Sequence, residues 1–393
     1  MAKKWRNLFC AWMLLTSILL SGSTVMAEEK NDPLSLATPE YVLMELETGT
    51  VLLEKEKDTR RSPASVTKIM TLLLIFDHIE KGDLCLEDMV TTSAYAKSMG
   101  GSQVFLEEGE SQSVETMIKC IVIASGNDAS VAMAEHISGS ETEFVKEMNQ
   151  RAAGLGMKNT HFEDCCGLTD SDDHYTTSYD IALMSRELIK KYPQILSYSS
   201  IWMDTIIHNT RQGSKEFGLS NTNRLIRSYQ GCVGLKTGST SKAKFCLSAV
   251  AERKGITLIA VVMASPDSKT RARDAASLLD YGFTRTSLYK DDKPLKLPVL
   301  KVKNGVKKQV SLVYGNTFRY LSTDGSIMEA PDKKLSLPSE AKAPLKKGDR
   351  AGELIYTWKG KEIGRIPVLY NESIKKATFT DCLRQTAEAL LLF

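Results

Sequence analysis

Histidine is scarce in this 393-residue chain, with five in all, and none stands in the HExxH spacing that sets two imidazoles on one helix face. The most recognisable zinc-peptidase signature is therefore missing. Eight cysteines are present, but there is no CxxC and no paired His/Cys spacing, so nothing in the sequence argues for a zinc site. Long apolar runs are missing too: the stretch from Leu8 to Leu20 is shorter than the ~20 residues needed to cross a bilayer core. Charge of one sign is not in excess. A net charge of +3 at pH 7 is too close to balance to point to a nucleic-acid partner. No internal repeat or low-complexity tract interrupts the chain.

What is present describes a globular, exported protein. With 42% hydrophobic and 25% charged side chains, the chain can bury a full core and is long enough for two domains. Lys3, Lys4 and Arg6 precede the Leu8–Leu20 run, and Val25-Met26-Ala27 offers small residues for cleavage, the layout of a secretory leader ending at Ala27. Cys10 leaves with that leader, and the remaining seven cysteines cannot all pair within one chain. Cys120 and Cys246 sit inside apolar runs, which reads as buried thiols; the vicinal Cys165-Cys166 has no companion ligand spacing.

Two β-rich runs, Tyr41–Glu47 and Val51–Lys55, flank Thr48-Gly49-Thr50 as a hairpin. Ile69, Leu72, Leu73 and Phe76 recur at helical spacing behind Pro63, so Ser65 falls at a helix N-terminus. From Ser113 to about Lys190 the periodicity is mostly helical. Phe245–Ala251 and Thr257–Ala264 read as a second hairpin, followed by a helix over Ala272–Tyr281. Strands at both ends of a helical middle predict one sheet built from distant sequence with helices around it. The Lys, Asp and Pro of Thr284–Pro298 read as a linker to a small β domain reaching about Tyr370, whose many lysines read as a solvated polar face or as one turned to an anionic envelope. Phe379, Leu383, Ala387, Leu390 and Leu391 share one helical face, which suits either a membrane surface or the β domain.

Ser65-Val66-Thr67-Lys68 sets a hydroxyl and an amine three apart on one helix face, a nucleophile beside its base. S-x-x-K alone says little, because it recurs at Ser239, Ser241, Ser287, Ser339 and Ser373. Its company is what matters: Ser125-Gly126-Asn127 follows an expected apolar helix, and Lys236-Thr237-Gly238 precedes an expected strand.

With these three elements in order, the chain resembles the low-molecular-mass penicillin-binding proteins that act as serine D-Ala-D-Ala carboxypeptidases. The likeness extends to Pro63–Thr71, Ser125–Ala129, Asn159–Phe162, His174–Thr177 and Gly234–Gly238, and covers roughly Tyr41 to Tyr370. Val233, where the family usually has an acid, and Val66, where it usually has a small polar residue, depart from the pattern. The resemblance implies an α/β fold of the serine β-lactamase/DD-peptidase type, an antiparallel sheet flanked by helices with a helical subdomain, followed by a small β-rich domain. Expected boundaries are a leader over 1–27, a catalytic domain over 28–286, the β domain over 287–370 and a terminal amphipathic helix over 371–393.

The resemblance also assigns roles. Ser65 is the nucleophile, Lys68 its base, and Ser125 with Asn127 the proton relay and substrate-amide contacts. Lys236 and Thr237 hold the substrate's terminal carboxylate, Gly238 and Ser239 are further substrate-binding positions, Arg271 matches a family arginine near the carboxylate end of the site, and Arg224 is a second candidate. The backbone N–H groups of Ser65 and Ser239 make the oxyanion hole. Lys236 is expected to help depress the pKa of Lys68. No metal, cofactor or nucleic acid is implied. The implied substrate is the peptidoglycan stem pentapeptide, with β-lactams as inhibitors and a membrane surface as a partner of the terminal helix. A β-lactamase, a transpeptidase or endopeptidase on the same scaffold, and a catalytically idle wall-binding module are the rival readings.

Overall fold

The computed structural model describes residues 33–391 apart from positions 212 and 327, so the expected leader lies outside the described residues. Strands β1 (Glu40–Glu45) and β2 (Val51–Lys55) form the expected hairpin. They join β7 (Cys232–Thr240), β8 (Lys244–Arg253) and β9 (Ile256–Ser265) in an antiparallel sheet ordered β2-β1-β9-β8-β7. β1 pairs with β9 through Tyr41↔Val262 and Leu43↔Ala260, so the two ends of the region do close one sheet. β1, β8 and β9 are buried along most of their length, as near-continuous apolar runs covered on both faces should be, while the edge strand β2 is only half-buried.

Helix α1 (Lys68–Lys81) begins as a 3₁₀ turn over Ala64–Thr67, buries its residues from Lys68 to Asp77, and stops at Gly82 in the left-handed conformation. β3 (Met89–Thr91), the short helix α2 (Ala94–Lys97) and β4 (Ser111–Ser113) lead into α3 (Val114–Val122), capped by Ser113 accepting from the Thr116 N–H. α4 (Asn127–Ser138), α5 (Glu141–Gly154) and α6 (Ser178–Lys191) complete the helical part, and one hydrophobic core runs from it into the sheet.

Three expectations need correction. The helical middle is broken between α5 and α6, where residues 155–177 form an irregular loop tied by backbone bonds to the segment before α1. Lys236-Thr237-Gly238 does not precede a strand but lies within β7, the edge of the sheet. The linker over 284–298 is partly built, because α9 (Ser268–Arg285) runs on to Arg285 and β10 (Ser287–Lys290) follows at once. The sequence reading also missed α7 (Ile195–Ser199), the hairpin β5 (Met203–Thr210) and β6 (Gly213–Ser220), and the short α8 (Leu225–Ser228).

Beyond β10 the chain is β-rich, as expected. β11 (Leu300–Lys303) lies between β12 (Gln309–Val310) and β16 (Glu340–Lys342). β13 (Leu312–Tyr314), β18 (Lys361–Tyr370), β17 (Arg350–Trp358) and β15 (Asp332–Ser336) form a second sheet in that order, and β14 (Arg319–Ser322) pairs with β10. Their inward residues make separate small cores around Val302 and Val368, and around Phe318 and Tyr356. Helix α10 (Phe379–Leu391) ends the described chain.

Candidate active site

Four segments converge on Ser65: its own 3₁₀ turn, the bend between α3 and α4, the edge strand β7, and the 155–177 loop. Lys68 is fully buried, and its Nζ lies 3.1 Å from Ser65 Oγ, 2.6 Å from Asn127 Oδ1 and 2.8 Å from the Cys166 carbonyl oxygen. Burial, the main cause, pulls the pKa of Lys68 below its ordinary value, and nearby Asp164 and Asp128 oppose it. An amine held among a hydroxyl and two carbonyls, with no carboxylate contact among the described residues, is well placed to be neutral and to accept a proton.

Ser125 adopts φ +64°, a left-handed conformation that costs a non-glycine residue about 1–2 kcal/mol. The neighbouring bonds offset this: Gly126 N–H donates to the Cys120 carbonyl and Asn127 N–H to Ser102, while Asn127 Nδ2 donates to the Gly100 carbonyl at 2.7 Å. The bend aims Ser125 Oγ at β7, where Lys236 Nζ donates to it at 2.9 Å and to the Thr237 carbonyl at 3.1 Å. Lys236 is fully buried, and its pKa is well below the ordinary value, first through burial and then through repulsion from Lys68 and Arg271. The repulsion between the lysines thus acts on Lys236; at Lys68, where it was expected, burial is what lowers the pKa.

Thr237 is buried and its hydroxyl donates to Thr222 Oγ1 at 2.7 Å; Ser239, two residues on, is exposed at the end of β7. Gly238 lets the strand approach the turn that carries Ser65, because a Cβ there would stand 2.7 Å from the Pro63 carbonyl oxygen and 3.0 Å from Ser65 N. Arg271, from α9, reaches the Gly238 carbonyl at 3.5 Å and the Cys246 carbonyl at 3.4 Å, leaving a buried Nε without a partner among the described residues. Arg224 is exposed, yet close enough to Arg271 to lower its pKa further, after burial and against an opposing effect from Cys246. Val66 is fully buried and Val233 packs against the core, so both departures from the pattern serve packing.

Sequence reasoning missed the 155–177 loop as a wall of the site. Asp164 accepts from the backbone N–H groups of Cys166, Gly167, Leu168 and Thr169, folding the loop so that the Cys166 carbonyl faces Lys68. His174 Nδ1 accepts from Glu163 N–H, which leaves Nε2–H to donate to Thr67 Oγ1 at 2.9 Å. Burial lowers the His174 pKa against the opposing charge of Asp164, in keeping with this neutral tautomer. The sequence signal was an aspartate three residues before a glycine, an ordinary turn signature that periodicity overlooks. All seven described cysteines are free thiols; Cys120, Cys165, Cys166, Cys232 and Cys246 are buried, while Cys85 and Cys382 are exposed.

A family model described as D-alanyl-D-alanine carboxypeptidase matches residues 25–267, and one for the C-terminal domain of penicillin-binding protein 5 matches residues 283–376. The chain is 43% identical over 348 residues to the D-alanyl-D-alanine carboxypeptidase DacF of Bacillus subtilis, spanning 88% of each chain. Among solved structures, penicillin-binding protein 5 from Haemophilus influenzae aligns with a TM-score of 0.67 at 29% identity, covering 88% of this chain and 99% of that one. Penicillin-binding protein 6B from Escherichia coli gives 0.66 at 28% identity, covering 86% and 97%. The ordered serine, lysine and K-T-G elements and these likenesses agree: the chain belongs to the serine D-alanyl-D-alanine carboxypeptidases, the low-molecular-mass penicillin-binding proteins.

Proposed function

We propose that Ser65 forms the acyl-enzyme through which this carboxypeptidase removes the terminal D-alanine from peptidoglycan stem pentapeptides, and that β-lactams inhibit it by forming an ester at the same oxygen. The 3.1 Å contact between Ser65 Oγ and the buried Lys68 Nζ carries this reading. Neutral Lys68 takes the Ser65 proton as Oγ attacks the penultimate carbonyl carbon, a base contribution of roughly 10²–10⁴ in rate. The oxyanion turns toward the N–H groups of Ser65 and Ser239, each such donor being worth about 10²–10³. Ser125 relays a proton to the departing D-alanine nitrogen, and Asn127 holds the substrate amide. Water then cleaves the ester and frees Ser65.

Lys236, Thr237, Ser239 and Arg271 receive the terminal carboxylate. Two buried amines whose protonated forms are both disfavoured by burial gain from this anion. A carboxylate beside Lys236 favours its protonated form, and repulsion then keeps Lys68 neutral as the base. Lys236→Ala should therefore lower kcat/KM on a peptide with a free C-terminal carboxylate by roughly 10- to 100-fold more than on its amidated analogue. Equal losses on both peptides would show that Lys236 does not read the carboxylate.

The same reading places the enzyme outside the cytoplasm, exported by the leader over 1–27 and held at a membrane surface by α10 lying flat. In its support, Phe379 and Leu383, four apart on one helix face, are 80% and 56% exposed. Among the described residues no helix is long and apolar enough to cross a membrane.

A further inference from the structure

The outward face of the β12-β11-β16 sheet carries an unusual arrangement of charge. Val302 and Ala341 point into the small core, so their neighbours Lys301, Lys303 and Lys342 point out on one face. The parallel register sets Lys303 directly beside Lys342, and Lys301 beside Glu340. Like charges facing each other on neighbouring strands are destabilising. One glutamate, which pairs with Lys303, is the only acid of this strand pair to offset three lysines.

Lys308 borders the same face, where a cavity of about 550 Å³ is lined by Lys301, Lys303, Lys308, Gln309, Ala377 and Cys382, among others. Ala377 lies two residues before α10 and Cys382 lies in its first turn, so the lysine face and the helix with exposed Phe379 and Leu383 are contiguous. A local arrangement that repels itself, next to an uncovered apolar pair, is favourable only against a partner offering both negative charge and hydrocarbon.

We infer that this lysine face is a second contact with an anionic lipid surface, where phosphate-bearing headgroups neutralise the lysines while Phe379 and Leu383 enter the acyl boundary. The inference rests on the membrane reading of α10 but assigns much of the affinity to the β domain. A soluble polyanion would satisfy the lysines and leave the apolar pair in water, so a bilayer fits both observations better.

The test is flotation of the mature chain, residues 28–393 without the expected leader, with vesicles of phosphatidylcholine, with and without phosphatidylglycerol. Lys301→Gln, Lys303→Gln and Lys342→Gln combined should cut partitioning onto phosphatidylglycerol vesicles by on the order of 100-fold, about fivefold for each lysine. D-Alanine release from a soluble peptide should not change, and the three lysine-to-arginine replacements should keep binding. Deleting residues 378–393 separates the two ideas. Loss of binding on deletion, with none in the glutamine variant, overturns the lysine face and leaves the helix as anchor. No loss in either overturns both. Tight binding of polyphosphate by the wild-type chain, with no preference for phosphatidylglycerol, overturns the lipid as occupant.

Discussion

Replacing Lys68 by alanine will slow acylation by fluorescent penicillin by on the order of 10²–10⁴ in a protein that remains folded. Lys68 Nζ is the amine within hydrogen-bond reach of Ser65 Oγ, and its other partners, Asn127 Oδ1 and the Cys166 carbonyl, cannot serve as the base. The pH profile makes the prediction sharper. Acylation by the wild-type enzyme should rise with pH along a limb below 10.5, because burial lowers the Lys68 pKa and only the neutral amine accepts the proton. That limb should vanish in Lys68→Ala. The sign on stability follows: the unfolded chain holds this proton more tightly, so the penalty on folding grows as pH falls below 10.5 and levels off beneath the folded pKa. Near-normal labelling of a well-folded Lys68→Ala protein would remove Lys68 from the mechanism.

Gly167→Ala should be the most damaging glycine substitution near the site. The residue has φ +76°, and an added Cβ would fall 1.9 Å from the Ala64 carbonyl oxygen and 2.8 Å from Thr67 Oγ1. Neither the turn carrying Ser65 nor the loop carrying the Cys166 carbonyl can yield without parting Lys68 from its partners. Left-handed strain and overpacking together cost roughly 2–5 kcal/mol, a drop of about 3–7 °C in melting temperature for a chain of this size. Gly139→Ala is the control, because Gly139 has φ +78° at the end of α4 but nothing within 4 Å of its added Cβ. It should cost only about 1–2 kcal/mol and leave acylation intact. Calorimetry and labelling rates on the two variants settle the matter; equal effects would mean the loop does not hold the site.

Much of this was legible in the sequence because it rests on short-range regularities. Ser65 and Lys68 lie one helical turn apart, and apolar periodicity located α1 and α3. The strands that close the sheet are uninterrupted apolar runs. What escaped was whatever depends on contacts between distant segments or on polar backbone organisation. The 155–177 loop has few periodic residues and is shaped by one carboxylate gathering four N–H groups, so its part in holding Lys68 left no periodic trace. β5 and β6 carry many exposed residues and weak alternation, so the hairpin did not stand out. Lys236-Thr237-Gly238 was placed before a strand because its glycine and charge look like punctuation. Inside β7 that glycine permits the close approach to Ser65 N, and the charge is buried beside Ser125.

The measurement that bears most directly on the central claim is mass spectrometry of the protein after brief exposure to benzylpenicillin, alongside D-alanine release from diacetyl-Lys-D-Ala-D-Ala. A β-lactam's leaving amine stays tethered to the acyl group, occupying the space that water needs, and the contacts to Lys68 include no carboxylate to drive fast hydrolysis. The account predicts one penicilloyl group per chain, lasting minutes or longer, on the peptide containing Ser65, with D-alanine release falling in proportion to the modified fraction. An adduct on another serine, or continuous rapid consumption of penicillin without a lasting adduct, would contradict it.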